Sequence, residues 1–161
     1  MDEESFHAFY EQTHRNVRAY LRSMLIGQNV VDDLLQESYF RFLKAGLPAS
    51  TELAHRRNYL YRIATNLVHD YRRSRKLETL SEEQLPAMSK LGSFDTAHDV
   101  GRAFDRLKPR ERDVLWFAYV ECFDHKEIAG ILQVGIASIR PMLARARAKF
   151  ADILRRRGIG E

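Results

Sequence analysis

Asp33, Gln36, Glu37, Phe40, Arg41 and Lys44 recur at spacings of three and four residues, which on a helix places them in one stripe. Carboxylate, amide and guanidinium groups can hydrogen-bond a protein surface, and an aromatic ring among charges suits an interface anchor better than a merely solvated face. A second set, Tyr59, Arg62, Asn66, His69, Asp70, Arg73 and Lys76, shares another helical face. Arginine and lysine neutralise phosphates, tyrosine stacks on an unpaired base, and asparagine and aspartate bond base edges. A solvated helix with Asp70 paired to Arg73 or Arg62 is the plain alternative. Exposed pairs contribute typically under about 1 kcal/mol, however, too little to account for such clustering.

Catalytic chemistry finds little footing. The six histidines, at 7, 14, 55, 69, 98 and 125, form no HExxH or His-x-His arrangement. There is no GxGxxG, no Walker loop and no nucleophile elbow. His69-Asp70 could act as a general-base pair, but nothing nearby in sequence supplies a nucleophile. The single cysteine, Cys122, excludes an internal disulfide framework and an all-cysteine zinc site. It follows an apolar helix and reads as a packed small hydrophobe. The expectation is a protein that is not an enzyme, with no metal, no cofactor and no small-molecule substrate.

Helices must position these groups. Strand signals are scarce, and helical periodicity is strong. Phe6, Phe9, Tyr10, Val17, Tyr20, Leu21, Met24 and Leu25 form one apolar stripe. Val31, Leu34, Leu35, Phe42 and Leu43 form a second, ending near Gly46-Leu47-Pro48, and Leu60, Ile63, Ala64, Leu67 and Tyr71 a third. These predict a three-helix bundle, with room for a short turn around residues 50–56. Residues 77–98 are acidic, punctuated by Ser, Pro and Gly, and read as a linker in which Leu80, Leu85, Met88 and Leu91 dock weakly. Val100, Ala103, Phe104 and Leu107 then suit a short helix stopping before Pro109, which itself fits a helix's first turn. Val114, Leu115, Ala118 and Tyr119 supply the next. Asp124-His125-Lys126-Glu127 has capping-box spacing and opens a helix through Leu132. After Gln133-Val134-Gly135, a last helix buries Ile136, Ile139, Leu143, Ala146, Phe150, Ile153 and Leu154. A capped short helix, a glycine turn and a basic amphipathic helix make the pattern of a helix-turn-helix. The expected fold is all-α: two small helical domains at 1–76 and 99–161, joined by the 77–98 linker.

The charge distribution sharpens this. The 161 residues carry a net charge of only +4. Residues 1–54 are net −3, 55–76 net +6, 77–99 net −4, 100–139 neutral and 140–161 net +5. Two basic islands on either side of an acidic segment suit a polyanion touched at two places, and Arg140, Arg145, Arg147 and Lys149 lie in the second. No apolar run approaches the roughly 20 residues of a membrane span. The start MDEESF has neither the charged nor the apolar region of a signal peptide, so a cytoplasmic location is expected.

Three segments carry a family resemblance. Asp32-Asp33-Leu34-Leu35-Gln36-Glu37-Ser38-Tyr39-Phe40-Arg41 resembles the D-L-x-Q-E-x-F-x-R signature of bacterial RNA polymerase sigma factors. Asn58-Tyr59-Leu60-Tyr61-Arg62-Ile63-Ala64-Thr65-Asn66, continuing to Asp70-Tyr71-Arg72-Arg73, resembles the family's W/Y-L-x-x-I-A-x-N-x-x-x-D-x-x-R segment. Leu107 to Leu115 and Lys126-Glu127-Ile128-Ala129 resemble the start of its C-terminal helix-turn-helix domain. With these motifs in order over most of the chain, it is similar to the compact extracytoplasmic-function (ECF) group.

The resemblance implies a sigma factor that binds core RNA polymerase, recognises the −10 and −35 promoter elements and initiates transcription. Asp33, Gln36, Glu37, Phe40 and Arg41 would dock on the clamp helices of the polymerase β′ subunit, with the β flap as a further contact. Tyr59, Arg62, Asn66, Asp70, Arg72 and Arg73 would face the −10 element, and the loop at 46–56 would hold the pocket for a flipped base. Melting stacked pairs costs on the order of 1.4 kcal/mol per step, which capture of an unstacked base partly offsets. Ser138, Arg140, Met142, Arg145 and Lys149 would read the −35 element in the major groove. An anti-sigma factor is the implied regulator, free to hold the protein at a membrane, and the holoenzyme would be nucleoid-associated. Two alternatives stand beside this: a sigma-like decoy that binds an anti-sigma factor without opening promoters, and a plain helix-turn-helix repressor, which leaves the 32–44 signature unexplained.

The last helix departs from the family's usual G-T-V-K-S-R-L opening. Here Ala137-Ser138-Ile139-Arg140-Pro141-Met142-Leu143 puts Pro141 and Met142 at central reading positions. A helix starting near Ile136 makes Pro141 interior, at a cost of about 3 kcal/mol. Ser138 as N-cap would make it nearly free of cost. A later start or a local kink is therefore the expectation.

Overall fold

The computed structural model describes residues 1–81 and 96–158, and every regular element among them is helical. Helix α1 spans Glu3–Met24 and opens on Asp2, whose carboxylate accepts from the Ser5 amide at 2.8 Å. Glu3 and Glu4 in its first turn complement the positive end of the helix dipole. Helix α2 spans Val31–Ala45 and ends at Gly46, which supplies the left-handed φ of 61° that a Cβ would disfavour. Helix α3 runs over 29 residues, Leu53–Ser81. These three make the predicted bundle. Phe9, Val17, Leu21 and Met24 of α1 pack with Leu35, Tyr39 and Phe42 of α2 and with Leu60 and Ala64 of α3. Tyr39 and Ser38 are buried as well, whereas Leu43, read as apolar stripe, is exposed. The Tyr39 hydroxyl donates to Thr13 Oγ1 at 2.6 Å, and burial pushes its pKa up to about 12, so it stays a donor.

The second block begins with α4, Thr96–Asp105, and α5, Pro109–Leu115, with Pro109 in the first turn as expected. A π-helical turn, Trp116–Val120, follows and is closed by the Phe123 amide donating to the Phe117 carbonyl at 2.8 Å. Helix α6, His125–Leu132, has its capping box in place: Asp124 accepts from the Glu127 amide at 2.8 Å, and Glu127 accepts from the Asp124 amide at 3.1 Å. Helix α7, Ile136–Arg156, meets α6 at 95°, the geometry of a helix-turn-helix.

Four expectations change. Residues 77–81 continue α3 and residues 96–98 belong to α4, so of the expected 77–98 linker these eight are helical, and 82–95 lie outside the described residues. The docking expected of Leu80, Leu85, Met88 and Leu91 falls on side chains outside the described ones. Cys122 is exposed, in the left-handed region with φ 56°, rather than a packed hydrophobe. Ile136 is 54% exposed because it sits at the solvent edge of the first turn of α7. Finally, α7 starts at Ile136 with Gly135 as its N-cap, so Ser138 is not the cap and Pro141 lies inside the helix. Pro141 has no amide to offer the Ala137 carbonyl. Both residues are on the exposed side, where water can take that carbonyl, and this limits the penalty.

Pro141→Ala should therefore restore the helical bond and raise stability by about 1–3 kcal/mol in chemical denaturation. Leu21→Ala, at a fully buried site, should lower it by about 2–5 kcal/mol. An unchanged Pro141→Ala midpoint would contradict the interior placement.

Candidate polymerase and nucleic-acid interfaces

The stripe on α2 faces outward. Asp33, Gln36, Phe40 and Arg41 are exposed, Phe40 at 57%, and Glu37 is half-buried beneath them. Arg41 donates to Glu37 at 2.8 Å, one turn apart, and Lys44 Nζ lies 6.0 Å from the Phe40 ring centroid. Leu35, Ser38, Tyr39 and Phe42 bury the opposite side, so core packing fixes the direction in which this stripe points. A protruding aromatic flanked by a bonded carboxylate and guanidinium can seat in an apolar pocket while its rim pairs with charges.

Helix α3 presents two different faces. Asn66, Asp70 and Arg73 lie on the outer one, all exposed, with Arg73 3.9 Å from Asp70. At its start, Tyr59 is half-buried, 6.4 Å from the Phe42 ring, and Arg56 donates to the Ala49 carbonyl at 2.8 Å, holding the loop that precedes α3. The other face carries Tyr61, Thr65 and Val68, all buried, and Arg72, half-buried. The apolar stripe read from the sequence includes none of these four. Of these, Tyr61 is covered by the second block, whereas Thr65 Oγ1 lies 3.2 Å from the Tyr20 hydroxyl of α1. Tyr61 stands edge-on to Phe117 at 5.4 Å and to Phe123 at 5.5 Å, and donates to Glu121 at 2.7 Å. Arg72 turns inward, donating to the Met24 carbonyl at 2.8 Å, so it is apart from Asn66, Asp70 and Arg73.

At the centre of this contact Asp113 of α5 has no exposed surface. It accepts from the Tyr20 hydroxyl at 2.8 Å and from His69 Nε2 at 2.8 Å. Burial, and then the neighbouring Asp113 charge, hold the Tyr20 phenol well above its ordinary pKa, and burial followed by the Glu121 charge does the same to Tyr61. Both remain protonated donors. Burial lowers the Arg72 guanidinium, a shift opposed by the Asp105 and Asp113 charges. His69 thus serves Asp113 and not Asp70, its partner in the sequence reading.

Helix α7 shows Ser138, Arg140 and Arg145 to solvent. Met142 is half-buried against the core, and Lys149 donates to Glu111 at 3.0 Å, an ion pair within the block. Burial raises the Glu111 carboxyl, but the bonds from Lys149 and the Lys108 amide outweigh it and leave it below its usual range. Arg147 donates to the Tyr119 hydroxyl at 3.0 Å. Among the described residues no group of three or more His, Cys, Asp or Glu could hold a metal, and no single helix is long and apolar enough to cross a membrane.

The family called Sigma-70 region 2 matches residues 9–78, and Sigma-70 region 4 matches residues 97–150. The chain belongs to the sigma-70 family. Those two regions correspond to the bundle with its two outward stripes and to the block with the helix-turn-helix. Among curated relatives it is 26% identical to the ECF RNA polymerase sigma factor SigM of Bacillus subtilis, over 91% of this chain and 93% of that protein. It is 22% identical to SigZ of the same organism, over 90% and 84%. Among solved structures, the fold matches the sigma factor RpoE in complex with the anti-sigma factor NepR from Bartonella quintana, with TM-score 0.77, 19% identity and coverage of 94% and 98%. It also matches CnrH in complex with the cytosolic domain of CnrY, with TM-score 0.70, 21% identity and coverage of 95% and 89%.

The residues that sequence reasoning missed are Tyr20 as a polar partner, Tyr61, Thr65 and Asp113. A usable signal existed for α3 in the 61–65–68–72 spacing, a second stripe beside the first. Asp124→Ala removes the cap of α6 and should cost about 1 kcal/mol in unfolding of the full chain while leaving the α2 stripe intact. No loss would mean that the cap is dispensable.

Proposed function

We propose that this protein is an ECF-type sigma factor: it binds core RNA polymerase, recognises −10 and −35 promoter elements and starts transcription, without being an enzyme itself. The observation that carries this reading is the α2 stripe, in which Phe40 stands 57% exposed between Gln36, Glu37 and Arg41. On this reading the stripe is the docking side for the β′ clamp helices, and the match of residues 9–78 to Sigma-70 region 2 supports it. Asn66, Asp70, Arg73, Arg62 and Tyr59 then contact the −10 strand. Ser138, Arg140 and Arg145 enter the −35 major groove, where each good bidentate contact is worth roughly 1–3 kcal/mol of discrimination. Met142 contributes packing and an apolar edge, and Lys149 gives its charge first to Glu111. The bundle to residue 76 and the block from residue 99 are the two functional domains. The working location is the cytoplasm, with the nucleoid as its site in the holoenzyme and the β flap as a second polymerase contact.

An anti-sigma factor is the proposed regulator. The sigma factor RpoE, of similar fold, was captured with the anti-sigma factor NepR, which supports this. The decoy alternative leaves the exposed Gln36 and Phe40, the half-buried Glu37 and the outward Asn66 and Asp70 without a use.

Run-off transcription from genomic promoter fragments with core polymerase should give discrete transcripts dependent on this chain. Their absence under every regulator-free condition would overturn the reading in favour of the decoy. Gln36→Ala with Glu37→Ala should weaken core binding by about tenfold or more without changing the denaturation midpoint appreciably. Unchanged affinity would move the interface elsewhere. Replacing Asn66 and Asp70 by alanine should reduce open-complex formation more than binding to duplex DNA, as permanganate footprinting and gel shift would read; equal losses would contradict a role in holding the melted strand.

A further inference from the structure

A cavity of about 590 Å³ lies where the end of α1, the later turns of α3 and the α4–α5 junction meet. Its volume is that of a small-molecule site, and its charged lining is mainly cationic. Arg72, Arg75 and Lys76 reach it from α3, at spacings of three and four residues that place them on one face. Arg112 reaches it from α5. Among the described residues, Asp105 is the one carboxylate in the lining, and Glu78 lies 3.7 Å from Arg75 outside it. Four cations set against two carboxylates leave the cavity positive.

Arg112 is the unusual member. It is 2% exposed, yet of the five N–H donors of a guanidinium only Nη1 has a partner among the described residues, Asp105 at 2.9 Å. Its Nε is both buried and unpaired. A buried guanidinium with unmet donors is costly, and in native structures such a group calls for an ion or a water that meets it. Arg72 beside it is half-buried and donates to the Met24 carbonyl at 2.8 Å, which fixes its guanidinium at the cavity. The Tyr71 hydroxyl donates to Gln28 at 2.9 Å, and both residues line the same space.

We propose that this cavity binds a diphosphate or triphosphate group, inorganic or carried by a nucleotide. Arg72 and Arg112 are its buried anchors, and Arg75 and Lys76 are its exposed rim. Guanidinium forks match phosphate oxygens bidentately, and bonds between charged groups are the strong ones. A carboxylate brings too little charge for this many donors, whereas a phosphate chain presents oxygens in succession. The site is separate from the surface proposed for the −10 strand: Asn66, Asp70 and Arg73 lie on the outer face of α3 and do not line the cavity. Because α1, α3 and α5 all contribute to it, a bound phosphate chain stabilises the folded protein by mass action.

Calorimetric titration of the full chain with inorganic pyrophosphate, and thermal denaturation with and without it, test the site. Binding should saturate at a single site with Kd below about 1 mM, weaken as salt is raised, and lift the denaturation midpoint. Arg75→Ala/Lys76→Ala, both at exposed positions, should weaken it by about tenfold or more. Arg15→Ala/Arg155→Ala removes the same charge from exposed positions outside the cavity and should leave it nearly unchanged. Arg112→Lys, checked for helix by circular dichroism, keeps the charge but loses the fork and should weaken binding as much as the rim variant. No saturable binding, an equal loss in the Arg15/Arg155 control, or full binding in folded Arg112→Lys would overturn the proposal. ATP and adenosine distinguish the sources. ATP binding more tightly than pyrophosphate, with adenosine silent, assigns a nucleotide, equal affinities assign the phosphates alone, and either result supports the site. A short DNA duplex whose binding depends on Arg75 and Lys76, with no pyrophosphate bound, would give these cations to the DNA backbone and overturn it.

Discussion

A carboxylate with no exposed surface must have its hydrogen bonds supplied by protein, and Asp113 obtains them from the other half of the chain. That constraint organises the molecule. Tyr20 sits near the end of α1 and His69 mid-way along α3, so satisfying Asp113 sets α5 against both at once. The π turn then has only one place to go. It lays Phe117 on Tyr20 and lets Phe123 close over Tyr61, and α6 follows onto the start of α3. The helix-turn-helix is oriented by this chain of contacts and not by its own capping, which shapes α6 only locally.

Helix α3 consequently works as a two-sided element. Its inner stripe of Leu60, Ala64 and Leu67 builds the bundle, and on its next face Tyr61, Thr65 and Val68 are buried, Tyr61 against Phe117 and Phe123 of the second block. Asn66, Asp70 and Arg73 remain outside. The side chains that would meet a melted strand therefore differ in availability: the outer three face solvent, while Arg62 and Arg72 are engaged with Gln133 and with the Met24 carbonyl. A single helix thus links the core, the domain contact and the proposed nucleic-acid surface.

The sequence was most legible where structure is set by local rules. The stripe from Phe9 to Met24, the Asp124–Glu127 box, the Gly46 stop and Pro109 in a first turn each follow from spacing within one or two helical turns. The α2 stripe was legible too, because charges interleaved with an aromatic at period 3.6 mark a helix face that the core does not claim. Burial of Tyr61 was not legible, since its partners Phe117, Glu121 and Phe123 lie more than 50 residues away in the chain. Nothing local in the sequence marks Asp113 as buried, because its partners Tyr20 and His69 are also far away in the chain. Pro141 misled in a different manner: proline argues for a late helix start, but on the solvent side water can serve the orphaned Ala137 carbonyl, and tertiary packing of Ile139 and Leu143 keeps the helix continuous. Cys122 looked like a small core residue until the tight turn after the π segment placed it in the left-handed region at the surface.

The arrangement of the helices turns on the hydrogen bonds that Asp113 draws from Tyr20 and His69. Chemical denaturation of the full chain carrying Tyr20→Phe, His69→Ala, and both together tests this most directly. Each single change should lower stability, and the double change should differ from their sum by about 0.5 kcal/mol or more, because both groups serve one carboxylate. Strict additivity, or no loss in either single variant, would contradict that dependence.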